Sequence, residues 1–270
     1  MTGGEAVVAP RITRRLLDRF AGRSQRPWSL RPRSCYCVPV TRPGSETARR
    51  SRRERPAKPA LTRQGIIDAG LGILSAEGLA KVTMRRIAGV LDTGHASLYV
   101  YVRDTEDLHA QILDALLATV KFPSSGNWRT RLKDLLTGYG EVLRNHAELA
   151  RMALSTQPNG PHFTAIVEQV LALLKEGGAD DRSAAWGVDL LLLVPTALAV
   201  EHSAEVSPRL EAERLSDMET RIQTVDPQQY PNIARLSADL VAGGGLIRSL
   251  WALDVVVDGI LARTAANRMQ

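Results

Sequence analysis

Cysteine is nearly missing from this chain: Cys35 and Cys37 are the only two among 270 residues, with a single residue between them. That spacing suits neither a disulfide nor a zinc site, and no Cys/His cluster accompanies the pair, so both read as inert thiols and a disulfide-stapled fold is excluded. Aromatic residues are scarce at 4%, which leaves few stacking partners for a large flat ligand. Long apolar runs are missing too. The longest, residues 188–200, is well short of the roughly 20 residues a helix needs to cross a bilayer, so no membrane segment is expected. The N-terminus is basic but has no apolar core of the secretory-signal kind, and the protein is expected in the cytoplasm. There is no internal repeat and no apolar–polar alternation, hence no expectation of strands. His146 with Glu148, and His162 with Glu168, can be written as acid–base pairs. Neither comes with a nucleophile, metal-ligand spacing or a glycine-rich phosphate loop, so no enzyme activity, metal or cofactor is expected.

Positive charge is distributed unevenly. Residues 1–60 hold fifteen Lys/Arg and four Asp/Glu, a net of +11, whereas residues 61–270 carry −5 of the overall +6. The run Arg49-Arg50-Ser51-Arg52-Arg53-Glu54-Arg55 closes this basic stretch. Rich in Arg, Pro, Gly and Ser and without hydrophobic periodicity, residues 1–58 read as a disordered basic arm. Such an arm can track phosphates or enter a minor groove, or it can be a solvated bystander.

Behind the arm, residues 61–116 read as four short helices. Ile66, Gly70, Ile73 and Leu74 recur on one face of the first, which Gly78 closes. Thr83 is the candidate N-cap of the second, whose inward face is Ile87, Ala88 and Leu91. Asp92-Thr93-Gly94 makes the turn, with Asp92 tolerating positive φ and Gly94 available as a cap. The third helix runs from His95 to about Val102, burying Leu98 and Val102 and leaving His95, Ser97 and Tyr101 outward with Tyr99 near the boundary. Asp104 caps the fourth, and Glu106 and Asp107 complement its dipole. The middle pair stands at helix-turn-helix spacing, an arrangement that places its second helix in the major groove of DNA.

These residues resemble a known family. Thr83-x-Arg85-Arg86-Ile87-Ala88, followed by Ala96-Ser97-Leu98-Tyr99-x-Tyr101-Val102 and then Leu108, is similar to the DNA-binding domain of the TetR family of bacterial transcriptional regulators. The turn departs from the usual Gly-Val, being Asp92-Thr93, and Thr105 stands where a lysine is usual. Residues 61–108 carry six acidic side chains against five basic ones, a net of −1, where a phosphate-binding surface is ordinarily positive. The resemblance implies an all-α homodimer: an N-terminal helix-turn-helix three-helix domain and a larger helical domain for ligand binding and dimerisation. It implies a repressor on a double-stranded DNA operator, released when a small-molecule effector changes the separation of the two reading heads. The alternative is an architectural protein that acts through the basic arm without an effector.

The expected division is 1–58 arm, 59–106 DNA-binding domain and 107–270 effector-binding and dimerisation domain. Candidate DNA contacts are Thr83, Arg85, Gly94, His95, Ser97, Tyr99, Tyr101 and Arg103. Arg85 has the fork geometry for a guanine edge or a phosphate, the Ser97 hydroxyl suits either, and Tyr99, Tyr101 and Arg103 suit the backbone. Each has an ordinary exposed polar residue as its alternative, and Tyr99 a packing role. Further helices are expected near 128–145, 146–156, 161–177, 181–204, 208–224, 231–242 and 245–266. Those at 181–204 and 245–266 carry more apolar surface than one core requires and are the expected dimer helices, with a single large core as the alternative. Candidate effector contacts are His146, Met152, His162, Phe163, Trp186 and Asp189.

Overall fold

Capping and burial fix a set of short helices at the front of the chain. The structure, a computed structural model, describes residues 60–156, 158–201, 208–243 and 245–268; the expected arm, with Cys35 and Cys37, lies outside the described residues. Helix α1 (Arg63–Glu77) starts where the Thr62 hydroxyl accepts from the Gly65 amide at 3.0 Å, and ends at Gly78 with φ 82°. A 3-10 turn (Leu79–Lys81) leads to α2 (Met84–Val90), then α3 (His95–Leu98) and α4 (Thr105–Leu117). Asp92 adopts the left-handed φ of 45° that the turn demands. A four-residue helix has no stability of its own. Helix α3 is held because Leu98 and Val102 are buried in one core with Ile66, Ile87 and Leu108, each such side chain contributing about 1.5–3 kcal/mol. Gly70 lets α4 lie close across α1: a Cβ there would meet Ile112 Cδ1 at 2.5 Å.

The larger domain is built on α5 (Trp128–Arg144), α6 (Ala147–Ser155), α7 (Pro161–Glu176) and α8 (Asp181–Glu201). It continues through α9 (Pro208–Gln223), α10 (Pro231–Arg235), α11 (Ser237–Val241) and α12 (Gly245–Arg268). Helix α8 lies at the centre, packed on α5, α6, α7 and α12. No strand occurs among the described residues. By length and composition α8 is sufficient to span a membrane, which the length of the stretch at 188–200 alone had excluded. Half of that apolar window is buried by its neighbours, so α8 is the core helix of the bundle.

Two local expectations are corrected. The third helix, predicted to reach Val102, stops at Leu98 and continues as a tighter turn, with Tyr101 N–H bonding Leu98 O at 2.9 Å. The single helix predicted at 231–242 is broken at Leu236, whose φ −102° and ψ 10° separate α10 from α11.

Candidate nucleic-acid interface and effector domain

The reading head presents one exposed face. Thr83 caps α2 by accepting from the Arg86 amide at 3.2 Å, so its side chain has a structural role already. Arg86 pairs with Glu77 at 2.6 Å, which anchors α2 to the end of α1. The hydrogen bond and charge of each partner hold the Arg86 pKa above and the Glu77 pKa below its ordinary value. Arg85 is exposed beside it, as are Gly94, His95 and Ser97 across the turn. The His95 and Tyr99 rings meet edge to face at 5.1 Å.

The two tyrosines exchange their expected places. Tyr99 is 52% exposed, whereas Tyr101 is half-buried and donates its hydroxyl to Leu61 O at 2.7 Å. Counting a continuous α-helix turns each residue by about 100° and puts Tyr101 outside. The turn after Leu98, closed by the Tyr101 amide on Leu98 O, breaks that continuous helix and leaves Tyr101 on the start of α1 instead. Tyr101 is therefore a clasp of the head, and Tyr99 is the outward ring. Arg103 is exposed; its amide donates to Asp107 Oδ2 at 2.9 Å, and its guanidinium lies 3.8 Å from the same atom.

Helix α4 is hydrogen-bonded on both sides. Toward the head, His109 Nε2 donates to Val82 O at 2.8 Å, and Gln111 bonds Asp107 at 3.1 Å and Tyr101 O at 3.4 Å. Toward the larger domain, Asp114 is 5% exposed and accepts from the Phe163 amide at 2.9 Å and from His162 Nδ1 at 3.0 Å. Sequence reading missed Asp114. The available signal was one carboxylate inside the apolar stretch Ile112-Leu113-Asp114-Ala115-Leu116.

The six candidate effector contacts do not converge. His146 lies at the start of α6 and lines a cleft of about 280 Å³ with Leu74, Gly78 and Leu79 of the head and Arg144 and Glu148 of the larger domain. Burial pushes its pKa down. None of the other five lines that cleft. Met152 packs partly buried on the core, and Phe163 is buried in it. His162 is half exposed beside Asp114. Trp186 is 55% exposed on the outer face of α8, with Arg182 over its ring at 5.6 Å. The cause is helical phase: Gly187 and Val188 face α12 and the core, so Trp186 must face away. Asp189 is partly buried on α8. Deep in the bundle, the Tyr139 hydroxyl lies 3.0 Å from Thr196 Oγ1, and burial pushes the phenol up to about 12. No group of three or more His, Cys, Asp or Glu suited to a metal occurs among the described residues.

The outer faces of α8 and α12 are apolar and uncovered. Trp186, Leu190 and Leu193 are exposed on α8, and Leu246, Ile247, Trp251 and Val255 on α12. The two helices are joined closely, since a Cβ at Gly187 would lie 2.5 Å from Ile260 Cδ1. The apolar residues of α12 are divided between two faces: Leu253, Val257 and Ile260 are buried, while Leu246 sits 60% exposed.

Residues 122–264 match the model of the tetracyclin repressor-like C-terminal domain. The chain belongs to the TetR family. The HTH-type transcriptional repressor DrrR1 of Streptomyces coeruleorubidus is 29% identical over 231 residues, 78% of this chain and 83% of that protein. Among solved TetR-like structures, the transcription regulator SCO7704 of Streptomyces is 44% identical with a TM-score of 0.64, covering 75% of this chain and 96% of that one. ActR of Streptomyces coelicolor, solved with actinorhodin, is 32% identical with a TM-score of 0.67 over 76% and 99% of the two chains. Family membership makes this chain an all-helical transcriptional regulator, and it accounts for a helix-turn-helix at the front and an apolar helix pair at the back.

Proposed function

We propose that this protein is a homodimeric repressor, released from its operator by a small molecule. The observation that carries the reading is the exposed face of α2, turn and α3, where Arg85, His95, Ser97 and Tyr99 stand outward on a head whose inner side is buried. In this reading residues 59–106 form the DNA-binding domain and 107–270 the effector and dimer domain, with helix α4 running between them. Arg85 reads a base edge or grips a phosphate, Gly94 lets the backbone approach, and Ser97, Tyr99 and Arg103 hold the phosphates. Thr83 contributes its hydroxyl proton to a phosphate while its oxygen caps α2. Tyr101 serves by holding the head together.

Two chains pair through the outer faces of α8 and α12, which removes the exposed tryptophans and leucines from water. The effector enters the bundle of α5 to α8; the relative ActR is solved in complex with a small molecule, actinorhodin. The basic arm adds phosphate contacts without sequence preference. The protein is a soluble regulator of the bacterial cytoplasm and not an enzyme.

The test is a gel shift of the full chain on its own upstream DNA against a scrambled fragment of equal length. The reading expects a discrete shift that survives scrambled competitor and is reversed by compounds that raise the melting temperature. Equal retention of both fragments would replace it with the architectural reading, binding through the arm alone.

A further inference from the structure

We infer that Asp114 is the positioning residue that couples the reading head to the effector domain, a detachable cap carried by one helix for the end of another. Helix α7 begins at Gly160 without a side-chain cap of its own. Its first amides need acceptors. Asp114 of α4 supplies them from another element: the Phe163 amide donates to Oδ1 at 2.9 Å, and the His162 amide approaches Oδ2 at 3.4 Å. The His162 ring adds a third bond, Nδ1 to Oδ2 at 3.0 Å. A carboxylate at a helix N-terminus is further favoured by the dipole. The fit leaves no slack, because a Cβ at Gly160 would fall 1.9 Å from the Asp114 carboxyl carbon. Glycine at 160 is thus what lets the carboxylate dock.

The same helix holds the head by independent bonds. His109 bonds Val82 O just before the α2 cap, Gln111 reaches Tyr101 O, and Asp107 receives the Arg103 amide. A second tie crosses nearby, from Thr156 at the end of α6 to Glu106. Helix α4 is therefore pinned to both sides of the α2–α3 unit at one end and to the start of α7 at the other. Phe163, directly bonded to Asp114, is itself part of the effector-domain core. A shift of α7 withdraws the amides from a buried carboxylate, which is costly, so α4 follows and rotates the head. A helix bound in this way on both sides converts movement in a core into a change of head spacing.

The inference rests on the reading of α2–α3 as a DNA reader on a dimer, and the experiment separates the two. Ser75, exposed on α1, is replaced by Cys in the full chain with Cys35→Ser and Cys37→Ser, and spin-labelled. The distance distribution between the two heads and the affinity for the upstream fragment are measured together, with dimer state as a control. The wild-type chain is expected to show one narrow distance and specific binding; failure of that binding overturns the underlying reading. Asp114→Ala is expected to broaden the distribution and lower affinity by about tenfold with the dimer unchanged. Asp114→Asn, which retains an acceptor for the Phe163 amide, is expected to restore most of both. Gly160→Ala is expected to reproduce Asp114→Ala, and the two together to add nothing. If Asp114→Ala does not fold, His162→Ala, which removes only a half-exposed ring, is expected to broaden the distribution partially. A narrow distance and full affinity in the folded variants, with only a lowered Tm, would overturn the inference.

Discussion

At the residue scale the reading head separates into side chains that face DNA and side chains that hold the head. Arg85 is exposed on α2 and supports nothing in the core. Arg85→Ala is expected to weaken operator binding by about 1–3 kcal/mol and relax one operator position, with Tm and dimer unchanged; fluorescence anisotropy on operator variants checks it. The tyrosines make a contrasting pair. Tyr101→Phe leaves Leu61 O without its donor and is expected to lower stability by about 1 kcal/mol. Tyr99→Phe, on an exposed ring, is expected to leave Tm unchanged and reduce affinity for specific and scrambled DNA alike. Denaturant melts and anisotropy, run on both variants, distinguish the clasp from the contact.

At the scale of elements, caps carry much of the specificity of the fold. Asp180 caps α8: it accepts from the Ser183 amide at 2.8 Å and the Ser183 hydroxyl at 3.0 Å. From α12, Asn267 donates to it at 3.0 Å and Thr264 accepts its amide at 3.2 Å. The Ser183 amide, then Asn267, hold its carboxyl down at about 2 against an ordinary 3.8. Between those values the unfolded chain binds the extra proton, so this stabilisation is complete above about pH 4 and is lost as pH falls toward 2. Asp180→Asn, which still accepts the amide, is expected to flatten that part of the acid-unfolding curve; thermal melts from pH 5 to 2 check it. Much of this level was legible in the sequence. Thr83, Asp104, Gly78 and the Asp92 turn announce themselves because capping chemistry is local. Tyr101 and the break at Leu236 were not legible, because both depend on how tightly a turn is wound. Asp114 offered only a lone carboxylate in an apolar stretch and no hint of its role, because its partners are the amides of a helix 48 and 49 residues away.

At the scale of the whole molecule, burial explains which apolar residues serve the core and which remain for a partner. The exposed stripes of α8 and α12 were read correctly as two helices with surplus apolar surface. Trp186, a candidate effector contact, lies on the uncovered outer face of α8: periodicity gives a face but not what covers it. Trp186→Glu with Trp251→Glu is expected to convert the dimer to a folded monomer that has lost specific DNA affinity while keeping its helical content. Sedimentation velocity with circular dichroism checks it, and a persistent dimer would move the interface elsewhere. The central claim is that two copies of one reading head recognise a symmetric operator. Its most direct test is selection of bound sequences from random duplex DNA, with the protein-to-DNA stoichiometry of the selected site. The account predicts an inverted repeat, with half-sites about one helical turn or a multiple of it apart, occupied by an even number of chains. Enrichment of no sequence, or of an asymmetric site held by a single chain, would contradict it.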